Sequence, residues 1–150
     1  MFVRDAMLEK PVTTTPRETF EELLAKLLDS RQATAAVLEG EGKLVGLVGI
    51  HDVLRKIVPH YLDLDQKLME LIHEDYFVEH FDGLRNTHVE DFMSRKIDTV
   101  EPGDTLIKAA TIIVENRRKT LPVLENGKFV GMVTRRSILE CVGPRLLGTA

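Results

Sequence analysis

The chain repeats itself. Val3-Arg4-Asp5-Ala6-Met7 returns as Val89-Glu90-Asp91-Phe92-Met93, and the same offset of 86 residues links Thr13 to Thr99, Pro16 to Pro102, Thr19 to Thr105, Arg31 to Arg117, Thr34 to Thr120 and Val37 to Val123. Past the first hairpin the offset drops to 85, because the turn Glu39-Gly40-Glu41-Gly42 is one residue longer than Glu125-Asn126-Gly127. A match held at one offset along the chain marks a structural repeat. It constrains the fold more than any single motif. Whatever unit one half builds, the other must build too, and the two must pack together.

Each copy follows one plan. A short extended piece, Val12–Thr14 or Asp98–Val100, runs towards a proline, Pro16 or Pro102. A helix comes next. Phe20, Leu23, Leu24, Leu27 and Leu28 fall at i, i+3, i+4, i+7 and i+8, as do Leu106, Ala109, Ala110, Ile113 and Val114, so each helix carries one apolar stripe. Asp104 is placed to cap the second helix. Strands are predicted at Ala35–Leu38 and Leu44–Val48, and again at Leu121–Leu124 and Phe129–Val133. Glycine turns join them, and Asn126-Gly127 is a strong hairpin signal. A polar corner then opens a short closing helix, Asp52–Val58 or Ser137–Val142. Such a unit covers one face of its small sheet with helices and leaves the other apolar. Two units bury those faces against each other. The fold class is therefore α/β (α+β), with two tandem β-α-β-β-α repeats packed face to face as one pseudo-symmetric module. Repeat 1 spans 1–58, a linker with a helix 59–88, repeat 2 89–142 and a tail 143–150.

In the linker, Leu64, Leu68, Leu71, Ile72, Phe77 and Phe81 give an amphipathic pattern over Asp63–Phe81, which Gly83 and Asn86 end. Glu70, Glu74, Asp75 and Glu79 form its wet face. This helix either packs on the module or docks a second subunit or another protein. The closing helices carry Val53, Leu54, Ile57, Ile138 and Leu139, more apolar surface than one repeat covers. A homodimer with matching patches would bury the surplus.

Composition narrows the function classes. No apolar run nears the roughly 20 residues that span a bilayer, and the first residues lack the apolar region of a signal peptide. The single Cys141 excludes an internal disulfide and reads as a small core-facing thiol, so a cytoplasmic, reducing setting fits. A net charge of −4 argues against nucleic acid as a partner of the whole surface, although Arg117-Arg118-Lys119 and Arg135-Arg136 are local basic clusters. No Ser-His-Asp set, Walker loop or nucleophile elbow is present, and His73 and His80 lack the i, i+4 spacing of a zinc helix, so no enzyme and no metal site is expected.

Chemistry concentrates at the two strand-to-helix corners, Gly49-Ile50-His51-Asp52 and Thr134-Arg135-Arg136-Ser137. A helix start presents unpaired N–H groups and attracts anions. Asp52, Thr134 and Ser137 also suit plain helix capping, and Arg117, Arg118 and Lys119 suit a solvated rim. His51 and Arg136 share one repeat position beside the helix start, facing either phosphate or solvent.

The Val-x-Asp-x-Met opening and the Thr-x-x-Pro after the first strand, both present in each copy, followed in order by Leu121-Pro122-Val123 and the Gly-hydrophobic-Val-Thr corner, resemble the CBS domain. Two tandem copies resemble a CBS pair, or Bateman module. The resemblance implies a non-catalytic regulatory module that binds an adenosine-containing ligand (AMP, ADP, ATP or another adenosyl compound) between the repeats. It also implies a dimer and a regulated protein partner. By the same resemblance, one cleft would use Gly49, His51 and Asp52 with Asp98, Thr99, Val100, Lys119, Thr120, Leu121 and Pro122. The other would use Thr134, Arg136 and Ser137 with Val12, Thr13, Thr14, Ala33, Thr34, Ala35 and Ala36. The first corner has Gly49 where the family hydroxyl belongs, and the second has Ser137 where the carboxylate belongs. A charged acceptor bonds a ribose diol more strongly than a neutral one. Gly49 lets backbone approach a phosphate, and Lys119 supplies a point charge for it. The Asp52 cleft is therefore favoured and the Thr134 cleft expected to be weak or empty. The alternative is an interaction module whose clefts are vestigial and whose function is dimerisation.

Overall fold

The computed structural model describes residues 1–58 and 76–149. The two repeats form the units expected. In the first, strand β1 (Thr13–Thr14) precedes helix α1 (Phe20–Ser30), then strands β2 (Thr34–Glu39) and β3 (Lys43–Gly49) and helix α2 (Ile50–Ile57). Helix α3 (Tyr76–Leu84) lies between the repeats. The second has helix α4 (Leu106–Glu115), strands β4 (Thr120–Glu125) and β5 (Lys128–Thr134) and helix α5 (Arg135–Leu146). Its first strand is reduced to one parallel bridge, Val100 to Val123, where β1 pairs with β2 over two residues. Both hairpins carry a register shift at the same repeat position, Val37/Leu38 and Val123/Leu124.

Each sheet has a helix-side core. Leu23, Leu27, Val37, Val48 and Val53 pack in the first, and Leu106, Ile113, Leu121, Val133 and Ile138 in the second. Ala36 and Met132 are buried yet belong to neither core. By strand alternation they face the other way from Ala35 and Val133, into the seam between the sheets. The hairpin ends also meet, where Phe129 N–H donates to the Gly42 carbonyl at 3.0 Å.

The opening segments are exchanged. Val3, Ala6 and Met7 pack in the core of the second repeat, and Val89, Phe92 and Met93 in the core of the first. Backbone bonds hold both crossings: Val3 N–H to Asp104 O at 2.9 Å and Leu8 N–H to Met132 O at 2.9 Å; Val89 N–H to Glu18 O at 2.9 Å and Leu47 N–H to Ser94 O at 2.9 Å. The strand glycines explain why this fits. A Cβ on Gly131 would strike Met7, and one on Gly46 would lie 2.6 Å from Met93 Sδ and 3.0 Å from Ser94 O. Each methionine thus lies in the gap a glycine leaves on the other repeat. Neither repeat completes its core from its own sequence.

Several local expectations are corrected. The cap of α4 is Thr105, whose hydroxyl accepts from Lys108 N–H at 3.3 Å. Asp104 instead accepts from Glu101 N–H at 2.8 Å, and its other oxygen meets Lys108 Nζ at 3.0 Å. Helix α3 runs one residue past Gly83, and helix α5 continues through Pro144 to Leu146. Phe81 and Leu84 pack on the first core, and His80 Nε2 lies 3.1 Å from the Lys56 carbonyl, so this part of the linker helix sits on the module. Phe77, expected on its apolar face, is exposed. Leu64, Leu68, Leu71, Ile72, Glu70, Glu74, Asp75 and His73 lie outside the described residues. In the closing helices Val53, Ile57 and Ile138 belong to the cores, which leaves only Leu54 and Leu139 of the five exposed. Cys141 is partly buried against the second core.

Candidate functional site

The two corners are built alike and finished differently. In each, the first helical N–H donates to a carbonyl at the end of the preceding loop: Ile50 to Ala33 at 2.9 Å, and Arg135 to Lys119 at 3.3 Å. The shorter bond brings the first corner close against Ala33. A Cβ at Gly49 would lie 2.5 Å from that carbonyl oxygen. Gly49 is extended, at φ −143 and ψ −175, so its role is close approach and not an unusual dihedral. The space its missing side chain leaves is taken by Ala33 O, so the approach of that carbonyl by itself accounts for a glycine here.

At the second corner Thr134 and Ser137 close on each other. Ser137 Oγ accepts from Thr134 N–H at 2.8 Å, and Thr134 Oγ1 accepts from Ser137 N–H at 3.0 Å. The Ser137 hydroxyl then donates to Thr134 O at 3.1 Å, and its side chain is buried. This is a complete capping box. At the first corner only half the box exists. Asp52 Oδ2 accepts from Gly49 N–H at 2.8 Å, and Gly49 has no side chain to return the bond. Among the described residues Asp52 Oδ1 has no partner, and Asp52 is half-buried. Capping and ligand binding are thus compatible for this carboxylate, one oxygen for each.

Asp52 faces a cleft of about 470 Å³. Gly49, Ile50, His51 and Leu54 line one side, with Ala33 and Thr34 at the start of β2. The opposite side is cationic: Lys96, Arg117, Arg118, Lys119 and Arg135. Arg118 is held by Asp98, with Nε 2.7 Å from Oδ2. That bond, with a second from Asn116, keeps the Asp98 carboxyl below the usual carboxylate range. Lys96, Arg117, Lys119 and Arg135 make no ion pair among the described residues. Arg117, one residue past the Asn116 cap of α4, is in the left-handed region at φ 53, as is Arg31, which ends α1, at φ 58.

The CBS domain model matches residues 3–59 and 89–143. The chain belongs to the CBS-domain family. This Bateman module is 30% identical to an uncharacterized protein of Methanocaldococcus jannaschii, over 95% of this chain and 91% of that one. A CBS domain-containing protein of Bacillus anthracis has a solved structure similar to it with a TM-score of 0.76 at 25% identity, covering 97% of this chain and 94% of that one. A structure of CBSX2 in complex with AMP superposes with a TM-score of 0.73 at 22% identity, covering 97% and 98%. Some relatives are much longer. The module spans 14% of an A-adding tRNA nucleotidyltransferase of Aquifex aeolicus, at 29% identity.

The residues expected to form two clefts of the CBS pair divide differently in space. One cleft gathers Gly49, His51, Asp52, Lys119 and Thr120 from the favoured set and Ala33 and Thr34 from the other. Asp98 acts one step behind it, through Arg118. Val100 and Leu121 were expected against the ligand base; both point into the helix-side core, 2% and 0% exposed. Strand β4 is apolar on both faces, so its alternation does not reveal which face meets the cleft. Pro122, Ala35, Ala36 and Thr14 are also buried, and Thr99, Val12, Thr13, Thr134 and Ser137 do not line the cleft. Arg136 turns away to pair with Glu140 at 2.8 Å, while Arg135 beside it enters the cleft. Lys96, Arg117, Arg118 and Arg135 were not expected as site residues. The clusters Arg117-Arg118-Lys119 and Arg135-Arg136 were the signal for three of them. Among the described residues no group of three or more His, Cys, Asp or Glu can hold a metal, and no helix is long and apolar enough to cross a membrane.

Proposed function

We propose that this CBS pair is a regulatory module that binds an adenosine nucleotide in the Asp52 cleft and passes its occupancy to a partner protein. The observation that carries this is the pairing of a half-free carboxylate, Asp52, with unpaired cations across one cleft. A ribose diol donates to Asp52 Oδ1 while Oδ2 keeps the helix start capped. Phosphates lie toward Lys119. The apolar surface of Leu47, Ile50 and Leu54 offers the base a wall. That a structurally similar CBS protein holds AMP supports the ligand class. The occupied module works as a homodimer, with the exposed Leu139 of the second closing helix among the residues available to the interface. Repeat bounds of 1–58 and 89–142 carry the function, with the exchanged openings making them one unit. A thermal-shift series with adenosine, AMP, ADP and ATP tests the ligand. A ligand that binds only the folded state raises the melting temperature with the logarithm of its concentration. Guanosine nucleotides serve as controls. No shift with any adenosyl compound at millimolar concentration removes the sensor role and leaves an interaction module.

A further inference from the structure

The repeat provides an internal control for the cleft's charges. Lys119 occupies the position of Ala33, and Arg135 that of Ile50. The backbone does the same work in both places, since the bond from Arg135 to Lys119 mirrors the bond from Ile50 to Ala33. The fold therefore accepts Ala and Ile at these two positions and has no need of cations there. Arg118 is different. It stands at the position of Gln32, and both tie the end of the repeat's first helix to the incoming segment: Gln32 Nε2 to Lys10 O at 2.7 Å, Arg118 NH1 to Lys96 O at 3.3 Å. Arg118 has a structural task and an ion-pair partner. Lys119 and Arg135 have neither.

These two cations, with Arg117 and Lys96, leave four unpaired positive groups on one cleft of a chain whose net charge is −4. Like charges gathered in a concave site repel and disfavour the unliganded state. One phosphate monoester brings at most about two negative charges, fewer than the cleft presents. We propose that the cleft selects ligands with two or more linked phosphates, such as a nucleoside di- or triphosphate, and that Lys119 and Arg135 are the specificity-determining residues. This rests on the nucleotide reading but goes beyond it, because the adenosyl portion alone does not distinguish AMP from ATP. RNA carries the same charge, but a cleft of about 470 Å³ holding an open carboxylate suits a single nucleotide better than a strand.

Isothermal calorimetry of the whole chain with AMP, ADP, ATP and inorganic tripolyphosphate tests it. Affinity should rise from AMP to ATP by about tenfold or more, the scale of one added charge-assisted contact. The gap should narrow in high salt, because screening weakens exposed charge pairs. The double variant Lys119→Ala with Arg135→Ile installs the first repeat's own residues. It should keep or raise its unliganded melting temperature, since it relieves part of that repulsion, and lose most of the preference for ATP over AMP. AMP binding as tightly as ATP to the wild type overturns the polyphosphate inference and leaves the nucleotide reading standing. Tripolyphosphate binding without any adenosyl selectivity does the reverse. An unchanged preference in the double variant removes Lys119 and Arg135 from the role, and a single-stranded RNA that outcompetes ATP replaces the ligand class.

Discussion

The two strand-to-helix corners stand at the same place in the repeat and have gone separate ways. The Thr134 corner spends both its side chains on itself: the two hydroxyls bond the two backbone N–H groups, and Ser137 is buried. The Asp52 corner has one bond where the other has two, and a carboxylate oxygen is left unbonded in a cleft that cations also line. A closed box stabilises a helix start and offers a ligand little. A half-open one gives up part of that stabilisation and retains a charged acceptor. A residue's repeat position therefore does not fix its role. What it bonds to locally decides whether it remains available.

The same asymmetry reaches the cores, and the largest expected effect lies there. Phe20 of the first repeat packs on Phe81 and Phe92 with ring centroids 5.6 and 5.5 Å away. Its counterpart in the second repeat is Leu106, and the counterpart of Phe92 is Ala6. Phe20→Ala should cost about 3–5 kcal/mol in urea unfolding, and more than Leu106→Ala, because it also empties the contact with the linker helix. Equal losses would show the aromatic cluster to be no different from the aliphatic one.

Exchanging the corner residues sharpens the comparison next. Gly49→Thr restores the hydroxyl that completes a capping box, yet its Cβ lands against Ala33 O. Overpacking against backbone should destabilise by about 1–3 kcal/mol. Thr134→Gly, in the corner with the longer 3.3 Å bond, should cost only a few tenths to about 1 kcal/mol. A stabilising Gly49→Thr would mean the first corner is open and the close approach unimportant.

A smaller effect comes from acid. The hydrogen bond from Arg118 lowers the Asp98 carboxyl in the folded chain relative to the unfolded one. The stabilisation is therefore complete above the ordinary carboxylate range and declines as pH falls through it towards the folded value. The first repeat holds the same segment with the neutral Gln32, which accepts from Val12 N–H at 3.0 Å. Asp98→Asn should flatten the acid limb of a melting-temperature profile, whereas Gln32→Ala should lower the whole profile without changing its slope. Parallel profiles for wild type and Asp98→Asn would remove this linkage.

Much of this was legible in the sequence. The fixed offset gave two copies of one unit, and periodicity placed most elements within a residue or two. The exchange of openings was not, because Val3 and Val89 match each other in sequence and nothing local says which core receives which. The glycines of β3 and β5 were the available hint, since Gly46 and Gly131 sit mid-strand where backbone or a long side chain must approach. The inward direction of Leu121 was hidden because Leu121-Pro122-Val123 is apolar on both faces. The cap at Thr105 was hidden by an acidic neighbour of equal capping aptitude. The cationic wall was visible only as runs of basic residues, and the choice between Arg135 and Arg136 depended on which one the helix turned inward.

Nucleotide binding at the Asp52 corner, and not at the Thr134 corner, is open to a single titration experiment. Calorimetric titration of ATP into wild type, Asp52→Ala and Ser137→Ala tests it most directly. Each variant loses a cap of about 1 kcal/mol and remains folded, so stability does not confound the comparison. Asp52→Ala should weaken binding by about tenfold or more, the value of one or two bonds to a charged acceptor, while Ser137→Ala should leave it within about twofold. Equal affinity in wild type and Asp52→Ala, or a loss confined to Ser137→Ala, would contradict it.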